Sequence, residues 1–269
     1  MSADVLTHFG LSAEPFSKEV DDADLWLPPS KQLVLDELTD AIHGRKSVLL
    51  TGEPGVGKTC LLRALRHAIS SENFRLTYCH NVTLGRRDFY RQLCLALAIP
   101  HGNTAGDVFY AVSTHVADLA KERLFPVFLV DEAHLLHQDT LDHLHILLNY
   151  AWDSRALLSV VLIGLPDLED RLRLRRNRSL YSRLHHRLTI GGLTPEDTAD
   201  YVHVRIGRVG GSKELFSNDA LAMLHEATAG SLRDIDRIAT SALRAAARRK
   251  RKSVEREVLG RILQAEPGA

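Results

Sequence analysis

The stretch "TGEPGVGKTC" at residues 51–60 decides how the chain is read. Gly52, four further residues and then Gly57-Lys58-Thr59 satisfy the pattern G-x-x-x-x-G-K-[ST], the Walker A loop. A triphosphate needs several donors converging from one side. Glycines let the backbone curl so that successive N–H groups point inward. A helix beginning at Lys58 adds its positive N-terminal end. Gly52, Glu53, Pro54, Gly55, Val56, Gly57, Lys58, Thr59 and Cys60 are therefore the expected ATP-binding run, with Lys58 on the β- and γ-phosphates and the Thr59 hydroxyl on Mg2+. The flanks agree. "KSVLL" (46–50) is apolar and β-prone, and "CLLRALRHAI" (60–69) carries Leu and Ile at helical spacing, so strand, loop and helix follow in the required order.

Outward from this loop, "PVFLVDE" (126–132) is a continuous apolar strand ending in two acids. Asp131 is the expected Walker B aspartate, holding Mg2+ through water. Glu132 is placed to polarise an attacking water, which favours hydrolysis over phosphotransfer to a small molecule. "DEAH" (131–134) also spells a helicase box. A helicase of that class needs a second RecA-like domain, and the chain lacks its motifs.

Strands are expected at 47–52, 74–81, 126–132, 156–164 and 186–193, with helices at 31–44, 60–69, 86–99, 105–123 and 140–152 between and around them. Such alternation implies an α/β fold, a mainly parallel sheet covered by helices on both faces. Ligands then bind at the carboxyl ends of the strands. From Thr194 the strand signal stops and four helices follow, with Thr194 and Ser217 as N-caps. The expected division is an N-terminal segment (1–40) packing on the nucleotide domain, an α/β nucleotide domain (41–193) and a small all-helical lid (194–269) with basic C-terminal helices.

The 269 residues are 45% apolar and 25% charged, ordinary for a globular protein. Lys+Arg and Asp+Glu number 34 each, so net charge names no partner. No apolar run reaches spanning length and the N-terminus lacks a signal-peptide layout; with three cysteines outside CxxC spacing, this points to a cytoplasmic protein with free thiols and no membrane partner. The histidines show no zinc spacing, so no metal beyond Mg2+ is expected.

"YSRLHHRLTIGGLTPED" places Ser182-Arg183 before the last strand, and "GSLRDIDRIA" places Gly230-Ser231-Leu232-Arg233 in the helical part. With the two Walker motifs, these segments resemble the AAA+ (P-loop, ASCE) ATPases in the branch of the initiator and clamp-loader proteins. The resemblance implies that Arg183 is an arginine finger acting on a neighbouring subunit's γ-phosphate, with Arg187 and Arg178 as rivals. It implies that Arg233 is sensor 2, and that Asn81, after the second strand, restrains Glu132. It also implies self-assembly into a ring or helical filament. One departure stands out: "VLIGLPDLEDRL" offers Gly164, Leu165 and Pro166 where a polar sensor 1 is usual, which implies slow turnover.

"HFGLSAEPFSKEVDDADLWLPPSKQLVLDEL" and "LIGLPDLEDRL" are similar to a narrower group, the ATPase domain of ExeA-type secretion proteins and the ATPase helpers of DDE transposons of the MuB, TniB and TnsC kind. An ExeA-type protein is implied to continue into a membrane helix and a wall-binding region; the chain ends at Ala269, as a free-standing helper would. Residues 171–187 hold seven arginines and no acid, and residues 244–252 hold six basic residues and no acid. Such clusters suit duplex DNA contacted through its phosphates. Arg86 and Arg87 are the expected DNA-contacting pair at a central channel. The sequence-based expectation is thus an ATP- and Mg2+-dependent, self-assembling ATPase that binds DNA and serves a DDE transposase. The alternatives are an ExeA-type secretion-assembly ATPase with a protein partner and a replication-type loader.

Overall fold

A computed structural model describes residues 1, 3–80, 83–150 and 154–265. In chain order the elements are α1 (Ala3–Phe9), α2 (Pro29–His43), β1 (Ser47–Thr51), α3 (Lys58–Ala68), β2 (Phe74–Cys79), α4 (Arg86–Ala96), α5 (Ala105–Lys121), β3 (Phe125–Val130), α6 (Gln138–Leu147), β4 (Ser159–Gly164), α7 (Asp167–Arg173), α8 (Arg178–Tyr181), β5 (Leu184–Thr189), α9 (Pro195–Arg208), α10 (Asn218–Thr228), α11 (Leu232–Arg248) and α12 (Arg256–Ala265). The five strands form one parallel sheet in the order β2-β3-β4-β1-β5. Every residue of β1, β3 and β4 is buried, which is why these three segments are dominated by Val, Leu, Ile and Phe and do not alternate with charged residues. Fully burying one such side chain is worth about 1.5–3 kcal/mol.

The chain clusters into two compact units: Leu33–Glu53 with Leu61–Ile190, and Met1–Gln32 with Pro54–Cys60 and Gly191–Ala269. The first contains the sheet and a core that includes Phe89, Tyr90, Phe128 and Leu162. The second has its own core, built from α9–α12 and including Val202, Leu224, Ile238 and Leu259. The N-terminal residues, expected on the nucleotide domain, cluster through Gln32 with these C-terminal helices. Phe16 meets Phe216 edge-on, and Arg205 donates to the carbonyl oxygens of Pro15 and Ser17. A run broken by prolines carries free carbonyls, and a buried guanidinium needs them.

Elements end where local chemistry or a partner strand stops them. The fifth strand is expected over 186–193; it runs Leu184–Thr189, pairing with Ser47–Thr51 through a register shift between Ser47 and Val48, and ends with Thr189 opposite Thr51, the last residue of β1. The fourth begins at Ser159 rather than 156. The fourth and fifth helices stop at Ala96 and Lys121, ahead of Ala98 and Arg123, which adopt left-handed φ values of 56° and 63°. The helix expected over 140–152 spans Gln138–Leu147, and residues 151–152 lie outside the described part of the chain. Thr194 and Ser217 cap α9 and α10 as expected, accepting from the N–H groups of Asp197 and Ala220.

Candidate active site

The phosphate loop leaves the sheet at the carboxyl end of β1. There the Gly52 N–H donates to the Gly164 carbonyl at 3.2 Å, and the Ile190 N–H to the Thr51 carbonyl at 2.8 Å, tying the ends of β4, β1 and β5 together. Gly55 and Gly57 have φ values of +81° and +100°, a region costly for any residue with a Cβ. Space imposes the same choice. A Cβ on Gly55 would lie 2.6 Å from Ser231 Oγ and 3.0 Å from Arg233 Cβ, and one on Gly57 would lie 2.8 Å from Leu232 Cδ1. Lys58 opens α3 and is buried, while Thr59 beside it is exposed. The start of α11 thus packs on this loop. The Arg233 N–H reaches the Gly55 carbonyl at 3.4 Å, bringing the expected sensor 2 residue to the Walker A backbone.

The acid pair sits just past β3. Asp131 is buried and doubly hydrogen-bonded: Oδ2 accepts from the Tyr78 hydroxyl at 2.7 Å, and Oδ1 from the Glu132 N–H at 2.9 Å. Burial, followed by the Asp131 hydrogen bond, drives the Tyr78 hydroxyl well above its ordinary pKa, so it stays a donor. Glu132 has φ 52° and ψ 36°, left-handed for a non-glycine residue, and its side chain is half exposed. Its carboxylate Oε2 lies 3.5 Å from Nδ1 of His134. Tyr78 carries no sequence signal, and His134 figures in the sequence only as the end of "DEAH" and among histidines without zinc spacing. Tyr78 is one of six tyrosines, and only strand pairing of β2 with β3 brings it beside Asp131.

Asn81, expected to restrain Glu132, lies outside the described residues. Arg183 is half-buried after α8 and donates through Nη1 to the Ser179 carbonyl at 3.0 Å. Its rival Arg187 stacks 4.0 Å over the Tyr181 ring, and Arg178 is exposed. The arginine run of 171–187 is less available than its composition suggests. Arg173 pairs with Glu169, Arg176 with Asp142, and Arg171 donates to the His134 carbonyl. The region 244–252 differs. Among the described residues, Arg244, Arg248, Arg249, Lys250 and Lys252 are exposed with no carboxylate in ion-pair reach. Arg86 and Arg87 open α4, and Arg87 is engaged with Asp88 at 3.2 Å.

Residues 40–172 match the family described as AAA domain. Those residues carry an AAA domain of P-loop fold. General secretion pathway protein A of Aeromonas hydrophila is 35% identical over 242 residues, covering 88% of this chain and 44% of that protein. The chain therefore spans less than half the length of that relative. Among solved structures, Drosophila ORC bound to DNA superposes with a TM-score of 0.72 at 22% identity, over 100% of this chain and 67% of that one. Cdc6p from Pyrobaculum aerophilum gives a TM-score of 0.67 at 20% identity, over 87% and 68%. At these identities the structural likeness speaks for the fold. Among the described residues, no helix is long and apolar enough to cross a membrane.

Proposed function

We propose that this AAA+ ATPase binds and hydrolyses ATP, assembles with copies of itself, binds duplex DNA without reading bases, and serves a DDE transposase in choosing its target. Lys58 holds the β- and γ-phosphates. Gly55 and Gly57 hold the left-handed backbone that curls the loop, where a Cβ would press on Ser231, Arg233 or Leu232, and the Asp131 carboxylate is fixed by two donors. Those features suit Mg2+ bound through Thr59 and Asp131; the metal would supply charge neutralisation on the phosphate oxygens. The attacking water bonds through its oxygen to the γ-phosphorus and gives a proton to Glu132, while the bond between the γ-phosphorus and the bridging oxygen breaks, so that ADP departs with that oxygen and inorganic phosphate is released. Arg183 stabilises the transferred charge from a neighbouring subunit, and Arg233 couples the start of α11 to the loop.

The observation that carries the DNA reading is the cluster at 244–252, where Arg251 pairs with Glu257 while Arg244, Arg248, Arg249, Lys250 and Lys252 are exposed with no carboxylate in ion-pair reach among the described residues. Arg86 and Arg87 add to it. Cations in the first turn of a helix oppose its dipole by about 0.3–1 kcal/mol. A polyanion near α4 would offset that cost. The resemblance of the N-terminal segment and "LIGLPDLEDRL" is shared equally by transposition helpers and ExeA-type secretion ATPases.

A titration with a non-hydrolysable ATP analogue tests this reading, using two unrelated duplexes at several salt concentrations. Both should bind alike, with log K falling by roughly 0.9 per phosphate contact per log unit of salt. Replacing Arg86, Arg87, Arg244 and Arg248 by Ala should weaken binding equally on both and flatten the slope, with ATP binding intact. No DNA binding at low salt sinks the reading. The second reading, a secretion-assembly ATPase with a protein partner, then takes its place; the 35% identity to General secretion pathway protein A favours it.

A further inference from the structure

We infer that His134 positions the Glu132 carboxylate, taking over work that a polar side chain at the end of β4 would otherwise do. This rests on the reading of Glu132 as the acceptor of the water proton. A side chain at Gly164, the last residue of β4, would have to displace its neighbours. A Cβ on Gly164 would lie 2.8 Å from Leu168 Cδ2, 3.2 Å from the His134 backbone nitrogen and 3.4 Å from His134 Nδ1. The His134 backbone and ring occupy that place. They are held there: the Arg171 guanidinium donates to the His134 carbonyl at 3.0 Å, and the His134 side chain is only 12% exposed.

His134 Nδ1 is shut off from solvent and makes no hydrogen bond among the described residues. Leaving a buried polar atom unpaired costs about 1–3 kcal/mol. The Glu132 Oε2 atom stands 3.5 Å away, near enough that a small side-chain rotation closes the bond. With the Nδ1–H tautomer, the imidazole donates to one carboxylate oxygen and leaves the other for the water. The Glu132 backbone is set for this pairing. Its left-handed conformation, worth about 1–3 kcal/mol of strain, is held by its N–H on Asp131 Oδ1 and by its carbonyl, which accepts from the Leu135 N–H at 2.9 Å. Strain concentrated between two acids and the histidine points to a geometry kept for chemistry.

Three variants test the inference: His134→Ala, His134→Asn and His134→Gln. An asparagine amide nitrogen falls where Nδ1 was, whereas a glutamine nitrogen falls where Nε2 was. His134→Ala should lower kcat roughly tenfold, the equivalent of one hydrogen bond to a charged group. Its affinity for a fluorescent ATP analogue should stay within about twofold of wild type, and its nucleotide-free melting temperature within a few degrees. His134→Asn should recover most of the rate and His134→Gln should not. If His134→Ala fails to fold, the Asn and Gln pair decides by itself. Equal rates for Asn and Gln, or a wild-type rate for Ala, overturn the inference. Glu132→Gln is measured alongside: an inactive Glu132→Gln with an unimpaired His134→Ala removes only the His134 role, while a fully active Glu132→Gln removes the Glu132 reading itself.

Discussion

The Tyr78 hydroxyl donates to Asp131 Oδ2 across 2.7 Å, linking the last turn of β2 to the first residue beyond β3. Together with the Glu132 N–H on Oδ1, it fixes the plane of the one buried carboxylate expected to face Mg2+. Groups that hydrogen-bond a metal-ligating carboxylate typically tune metal affinity or activity by about 10–100-fold. Tyr78→Phe keeps the ring, which stacks on His80, and deletes only the donor. The Mg2+ concentration for half-maximal hydrolysis should rise roughly tenfold. ATP affinity measured without Mg2+ should be unchanged. An unaltered Mg2+ titration would show that Asp131 does not need Tyr78 to hold its orientation.

Two variants separate nucleotide binding from hydrolysis. Lys58→Ala removes the buried charge at the start of α3, and most ATP binding should go with it. Glu132→Gln should bind ATP normally and lose about 10²–10⁴-fold in turnover, the usual contribution of a general base. Gly55→Ala supplies a third point: its Cβ would press on Ser231 Oγ at 2.6 Å in a left-handed backbone. Equilibrium binding and single-turnover hydrolysis on the same preparations check all three.

Arg183 tests action between subunits. Arg183→Ala and Glu132→Gln should each be inactive alone. Co-assembled, they should recover part of the wild-type hydrolysis, because some interfaces then pair an intact Glu132 with an intact Arg183. In the isolated chain the Arg183 guanidinium rests on the Ser179 carbonyl, so it must swing away on assembly. Mixtures that assemble and stay inactive would exclude action in trans.

Asp236 gives the C-terminal helices a pH dependence. Burial raises its carboxyl pKa to about 6, although the Tyr201 hydroxyl donates to it at 2.7 Å and Arg205 opposes the shift. An unfolded Asp titrates near 4. Between about pH 4 and 6 the folded form therefore binds more protons than the unfolded form, and this group's contribution to stability is lost as pH rises through that window. Asp236→Asn retains an acceptor for Tyr201 and carries no charge. Relative to wild type it should gain about 1–2 kcal/mol between pH 4.5 and 7. Denaturant melts of both proteins at four pH values measure the difference, and parallel curves would refute it.

The sequence alone determined those parts of this protein that depend on neighbours a few residues away. Gly52 to Thr59 specify a loop by spacing; the apolar runs within 47–52, 126–132 and 156–164 specify buried parallel strands by their lack of alternation; Thr194 and Ser217 specify helix starts by their hydroxyls. The family resemblance came from the same local motifs. Tertiary structure alone decided which distant side chains meet. Tyr78 reaches Asp131 only because β2 pairs with β3, and His134 fills the place of a side chain at Gly164 only because β4 ends beside the turn that follows Glu132. The arginines of 171–187 find acids at 142 and 169, the first of them far away in the sequence, so a charge run that looked free is partly spent inside the fold. The N-terminal segment joins the C-terminal helices through Arg205 and Phe216. Each of these pairings follows from strand order and helix packing, which are long-range contacts that no local pattern of residue types encodes.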